Sequence, residues 1–232
     1  MTNRNIDIVY FIWININRNW KVIIEGQLFD LDISKILENS YLHIVVSCQY
    51  THLEDEIKNI IKNNLKDYVI YDIEFHKDNH YEYQGIKKLY DLSQIHHDRF
   101  FLYIHSKGMF HWYDNNPNKR WEDEVSLSKN TIYMWKDILN VFELNPHFMK
   151  IGLLPSSHDD FIWFNFFWVR GSYLKTCECP IITDNRYYYE SWLSTSNQIW
   201  DNNSSYSLYS SDCKKYSADE AIKIIEQLRG KF

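Results

Sequence analysis

The chain has 232 residues, 45% hydrophobic and 24% charged, a length and balance that fit one large globular domain or two small ones. Its formal net charge of −6 argues against broad binding to nucleic acid or an anionic membrane surface, each of which needs a basic excess. No run of about eighteen apolar residues predicts a transmembrane helix, and 6 glycines with 4 prolines advertise no flexible linker.

In chain order, Ile6 to Asn15 (IDIVYFIWIN) reads as a strand buried on both faces, and Trp20 to Leu37 as a helix. Tyr41 to Cys48 is a second strand. Leu53, Ile57, Ile60, Ile61 and Leu65 then share one helical stripe. Tyr68 to Phe75 alternates as a third strand, Glu82 to Ile95 is a short helix, and Phe100 to Ile104 is a fourth strand. This β-α-β-α-β-α-β order implies a mostly parallel sheet with covering helices.

The second half opens with a polar loop at Asp114 to Lys119. One helix is expected over Val125 to Phe142, with Ser128, Ile132, Trp135, Leu139 and Phe142 on one face. Ile151 to Leu154 reads as a short strand. Phe161 to Val169 reads as an aromatic strand interrupted by Asn165, and Asp201 to Ser211 as irregular. Ser217 with Glu220 three residues on is a capping box that opens a last helix ending near Gly230. No repeat and no composition shift marks a boundary, so residues 1–232 are taken as one domain in two halves, 1–110 and 111–232.

Cys177 and Cys179 are too close for the usual zinc spacing. With Cys48 and Cys213 they are taken as free thiols of a reducing compartment. The opening MTNRNIDIVYFIWIN lacks the long apolar segment of a signal peptide, which makes a cytoplasmic location the expectation.

Four groups of residues are candidates for chemistry. The fourth strand ends in His105, Ser106, Lys107 and Gly108. Ligands of open α/β sheets collect at such carboxyl ends, and this basic cluster can offer donors to phosphate oxygens. The alternative is a solvated loop. Glu190, in NRYYYESWL, is either a base raised in pKa by aromatic neighbours or the ion-pair partner of Arg186. Asn165 either satisfies backbone groups or faces a ligand. Of the acids, Asp30 and Asp32 have D-x-D spacing but lie in a helical stretch. Asp72 and Glu74 lie in a strand, and Asp159 and Asp160 in a loop. Aromatics reach 17%, which serves either a core or a surface that stacks on sugars or bases.

Taken in order, the segments Tyr103-Ile104-His105-Ser106-Lys107-Gly108, Phe164-Asn165-Phe166-Phe167-Trp168 with Ser172-Tyr173-Leu174, and Arg186-Tyr187-Tyr188-Tyr189-Glu190-Ser191-Trp192-Leu193 resemble a family of GT-A-type glycosyltransferases of bacteria and large DNA viruses. Its members carry H-[ST]-K-G, a G-N-F-W-W-like strand and R-Y-x-x-E-x-W-[IL]. Here Phe164 stands where the pattern has glycine, and Phe167 where it has tryptophan.

The resemblance implies a GT-A-like, Rossmann-like α/β domain that transfers a sugar from a nucleotide-diphosphate donor to a glycan or other hydroxyl acceptor. In that reading His105, Ser106, Lys107 and Gly108 hold the donor diphosphate, and Phe11, Trp13 and Asn15 hold the nucleoside. Glu82, Asn165, Trp168, Arg186, Tyr188 and Trp192 contact sugar or acceptor, and Glu190 is the base of an inverting reaction. A fixed lysine stands where GT-A enzymes place D-x-D, so a divalent cation (Mn²⁺ or Mg²⁺) is an optional helper and no metal ligand is assigned. The competing expectations are a non-catalytic carbohydrate-binding protein and a nucleotidyltransferase on a related sheet.

Overall fold

Ile6–Trp13 forms β1, which leads through α1 (Trp20–Ile33) to β2 (Ser40–Ser47), α2 (Glu54–Asn64), β3 (Ile70–His76), α3 (Tyr83–Ile95) and β4 (Phe100–His105). This is the alternation expected from the sequence, with boundaries shifted by a few residues. The computed structural model describes residues 4–106, 120–198, 200 and 203–231. The expected polar loop at 114–119 lies outside them. The second half continues with α4 (Glu122–Ile132), α5 (Trp135–Leu144), β5 (Lys150–Gly152), β6 (Phe167–Arg170), α6 (Gly171–Leu174), α7 (Arg186–Ser191), β7 (Ser205–Ser207) and α8 (Ala218–Leu228).

One seven-stranded sheet runs through both halves in the order β3-β2-β1-β4-β6-β5-β7. All strands are parallel except β6, which pairs antiparallel with β4 and β5. The chain is therefore an α/β protein of Rossmann-like architecture. Even-numbered residues of β1 pack with Ile24 and Leu28 of α1, Ile57 and Ile61 of α2, and apolar residues of α4, α5 and α8. Val9 and Phe11 pack on the other face with Ile86 and Leu89 of α3, Leu174 of α6 and Tyr189 of α7. Burial on both faces is what the unbroken apolar runs of β1 and β4 encode.

Three expectations are corrected in the second half. The single helix expected over 125–142 is two, broken at Tyr133 and Met134. At the break the Tyr133 hydroxyl donates to Asp30 at 2.9 Å, and the Trp135 indole donates to the Ser34 carbonyl at 2.9 Å, so contacts to α1 replace a continuous helical axis. The aromatic segment is not one strand: a 3₁₀ turn at Trp163–Asn165 precedes β6. The stretch expected to be irregular contributes β7 to the sheet edge. The capping box at Ser217 and Glu220 forms as expected.

Candidate active site

The chain leaves β1 for β2 on one side and later returns to β4 on the other, so the carboxyl ends of β1 and β4 frame the crevice where open α/β sheets take ligands. Ser106 closes the floor. Its hydroxyl accepts from the Trp13 backbone N–H at 2.9 Å, and its own N–H donates to the Phe11 carbonyl at 2.9 Å. The first turn of α3 presses on this floor because Gly85 carries no side chain. A Cβ there would lie 2.6 Å from Phe11 Cβ and 2.7 Å from the Tyr103 hydroxyl. That close approach brings Glu82, at the start of α3, to the Tyr103 hydroxyl, which donates to Glu82 Oε2 at 3.2 Å. Burial first, and then the Glu82 charge, hold the Tyr103 phenol well above its usual pKa, so it stays protonated as a donor.

The other wall is built by a strained turn. Phe164 (φ 70°, ψ 5°) and Asn165 (φ 54°) are consecutive residues in the left-handed region. That region is unfavourable for a bulky aromatic and tolerated by asparagine. Glycine is the residue the resembled pattern has at position 164, and the positive φ gives a physical reason for it. The turn aims Asn165 inward: its Nδ2 donates to Glu82 Oε2 at 2.9 Å and to the Tyr189 carbonyl at 3.1 Å. It also offers the Phe164 carbonyl to His105 Nε2 at 3.0 Å. Because a carbonyl only accepts, that nitrogen carries the proton, and Nδ1 faces Glu82 Oε1 at 3.8 Å. His105 is thus turned toward the turn and Glu82. Its own carbonyl accepts from Gln27 Nε2 at 2.9 Å, from α1 beneath the sheet.

Asn165 ties this centre to α7, where the Asn185 side chain caps the Tyr187 N–H. Glu190 on α7 is half-buried, and among the described residues its carboxylate makes no hydrogen bond or ion pair. Arg186 is exposed and stacks over the Tyr187 ring at 4.9 Å, so the alternative Arg186–Glu190 ion pair does not form. Tyr188 is half-buried against the α3-side core, with its hydroxyl accepting from the Ile181 N–H at 3.3 Å.

Other assignments are corrected by burial. Trp168 is fully buried on the opposite face of the sheet and gives its indole N–H to the Thr131 carbonyl at 2.9 Å. Trp192 is fully buried and donates to the Glu178 carbonyl at 2.9 Å, and Phe11 is buried under α3. These three are core residues. Trp13 and Asn15 do lie at the crevice end of β1. Trp13 is half-buried between both cores, and the Asn15 side chain accepts from the Asn17 N–H at 3.1 Å. Lys107 and Gly108 lie outside the described residues.

The remaining acids are engaged elsewhere. Asp30 pairs with Arg120 at 2.7 Å, and Asp72 and Glu74 each meet Lys88 at 3.2 Å. Asp32 meets Lys66 at 3.8 Å, and Asp160 is held by Lys150 at 3.1 Å and Lys215 at 2.9 Å. Among the described residues no group of three His, Cys, Asp or Glu side chains converges on a metal-sized site. Sequence reasoning missed Gln27, Gly85 and Tyr103 as builders of the crevice. Gln27 had a legible signal, a polar residue on the apolar stripe of Ile24, Leu28 and Leu31, and it is fully buried. The chain matches no protein-family model and no curated protein.

Proposed function

We propose that the chain is a nucleotide-sugar-dependent glycosyltransferase that moves a sugar from a nucleoside-diphosphate donor to a hydroxyl of a glycan or other acceptor. The observation that carries this reading is the Glu190 carboxylate, unengaged among the described residues, on the helix that Asn165 links to the crevice between β1 and β4. Glu190 takes the acceptor proton as the hydroxyl oxygen attacks the anomeric carbon. The bond from that carbon to the diphosphate oxygen breaks on the opposite face, and the diphosphate leaves with its electron pair. The outcome is inversion. The nucleoside lies by Trp13 and Asn15, and Lys107, with the backbone at Gly108, offsets the charge that develops on the leaving diphosphate. That role for Lys107 rests on the sequence pattern, and it makes a divalent cation dispensable.

No helix among the described residues is long and apolar enough to cross a membrane, in keeping with a donor and acceptor met outside the bilayer. The experiment is calorimetric titration of nucleoside diphosphates into wild type and Lys107→Ala. Affinity should fall by roughly 1.5–3 kcal/mol, the range for a lost charge-assisted hydrogen bond. Unchanged affinity in a folded variant removes Lys107 from the donor site.

A further inference from the structure

Lys150, the first residue of β5, is a buried cation that the transfer chemistry leaves unused. Its side chain is 2% exposed. Its Nζ donates to the Asp160 backbone carbonyl at 2.5 Å and to the Tyr173 hydroxyl at 3.1 Å, and it meets Asp160 Oδ2 at 3.1 Å. Burial is the larger influence on the ammonium and lowers its pKa, while the Asp160 charge opposes that. A buried ion pair is weak evidence of stabilisation, because apolar side chains of similar volume often replace one at no cost to the fold. The bonds of Lys150 lead instead to the crevice, by two routes.

The first route is Asp160, at the tip of a hairpin. The Ser156 N–H donates to the Phe161 carbonyl at 2.7 Å, and the Trp163 N–H to the Leu154 carbonyl at 3.0 Å. Left-handed backbone is concentrated in this stretch: Asp159 and Asp160 have φ 58°, Phe164 has φ 70° and Asn165 has φ 54°. Such backbone persists only where its surroundings over-determine it. Asp160 supplies that constraint. Lys150 holds its carbonyl and one carboxylate oxygen, Ser204 Oγ donates to the same oxygen at 3.1 Å, and Lys215 pairs with the other at 2.9 Å. The segment then runs on to Asn165, whose Nδ2 reaches the Tyr189 carbonyl of α7.

The second route is Tyr173. Its hydroxyl accepts from Lys150 and donates to the Leu193 carbonyl at 2.8 Å. Leu193 lies in the 3₁₀ turn Trp192–Ser194, which continues directly from α7. Glu190 therefore stands between two tethered carbonyls, those of Tyr189 and Leu193, and both tethers run back to the segment 160–165. Trp192 anchors the same helix to the Glu178 carbonyl, outside this circuit, so cutting the circuit should loosen α7 without detaching it.

We infer that Lys150 is a positioning residue: its ammonium holds the hairpin tip and, through Tyr173, the end of α7, and so fixes Glu190 against the turn that carries Asn165. The inference rests on the transferase reading for what Glu190 does, but not for how its helix is held.

The test is amide hydrogen exchange and steady-state kinetics on wild type, Lys150→Met and Tyr173→Phe. Methionine replaces the lysine with an apolar chain of similar length, and Asp160 keeps Lys215 and Ser204. Phenylalanine removes one hydroxyl and leaves the Lys150–Asp160 pair, so it carries the test should the first variant not fold. In each variant the amides of residues 186–194 should exchange roughly tenfold faster, the factor for one lost hydrogen bond, while those of β1 and β2 keep their wild-type rates. The kcat for diphosphate release should fall by roughly ten- to a hundredfold at an unchanged donor KM, as expected when a reacting group is misplaced. Unchanged exchange at 186–194 in a folded variant would overturn the inference, and so would exchange that rises evenly across the sheet. Faster exchange with an unchanged kcat, or two variants that both fail to fold, would do the same, leaving Lys150 a partner for Asp160 and no more. No diphosphate release by wild type would overturn the transferase reading and leave the exchange pattern to decide the inference.

Discussion

At the residue scale, the chemistry depends on whether Glu190 is a base or a strut. A structural carboxylate of α7 would be bonded to its own helix or to Arg186. Instead Arg186 stacks on Tyr187, and the Glu190 side chain is half-buried without a partner among the described residues. Glu190→Gln should therefore leave the melting temperature and donor affinity close to wild type. Turnover should fall by roughly 10²–10⁴-fold, the usual contribution of a positioned base. Early unfolding with parallel loss of donor binding would make the glutamate structural. The next acids to try would then be Asp159 and Asp184, since Asp160 is held by two lysines.

At the element scale, the crevice owes its shape to how closely α3 lies on β1 and β4, and that depends on Gly85. On propensity alone, alanine in a helix interior is favoured over glycine by about 1 kcal/mol. Here the added methyl would meet Phe11 Cβ, an atom next to the backbone that cannot swing aside. We expect Gly85→Ala to destabilise by roughly 1–3 kcal/mol, the range for overpacking. Its α3 should move off Tyr103, weakening the Glu82 contact. A stabilised variant, seen as a higher midpoint in urea denaturation, would show that the contact yields easily.

The elements also show what was legible from sequence. β1 to β4 and their helices were readable because each carries one period, with apolar runs for strands covered on both faces and three-to-four spacing for helices. The aromatic segments of the second half were not, because aromatics serve either face of a sheet or a turn equally well. Trp168 and Trp192 sit in segments that resemble a sugar-binding pattern, yet each satisfies its indole N–H on an internal carbonyl. The left-handed turn at Phe164 and Asn165 had one readable trace, a glycine in the resembled pattern where this chain has phenylalanine. The break between α4 and α5 had none, since it depends on partners about a hundred residues away in α1 and just beyond its end.

At the scale of the whole molecule, stability should depend on pH through a charge ladder across the sheet, far from the crevice. His43 on β2 lies between Asp7 on β1 at 3.0 Å and Asp72 on β3 at 2.6 Å. Asp7 also meets His96 at 3.1 Å and Arg99 at 3.2 Å, while Lys88 of α3 meets Asp72 and Glu74. Burial of His43 opposes its charge, but the bonds to Asp7 and Asp72 outweigh it and its pKa is raised. Burial likewise opposes the Asp72 charge, and the His43 bond and the His43 and Lys88 charges outweigh that, so its pKa is lowered. A raised histidine stabilises fully below its unfolded pKa of about 6.5 and ceases to as pH climbs through the folded value. A lowered aspartate stabilises above its unfolded pKa of about 3.9 and ceases to as pH falls through the folded one. The ladder is therefore strongest between about pH 4 and 6.5. The melting temperature should decline toward alkaline pH, and His43→Gln should flatten that decline. An identical slope in both proteins would take the ladder out of the account.

The whole-molecule claim is catalysis at the carboxyl ends of β1 and β4, and release of nucleoside diphosphate from a nucleotide-sugar panel measures it most directly. The protein should be stripped of metal by EDTA and assayed with and without added Mn²⁺ and with mixed glycan acceptors. Wild type should release diphosphate from at least one donor without metal, and Glu190→Gln should release it roughly 10²–10⁴-fold more slowly at the same donor occupancy. Release that disappears on chelation and returns with Mn²⁺ would keep the transferase but contradict the fixed-cation mechanism. No release from any donor under any of these conditions would contradict the assignment itself.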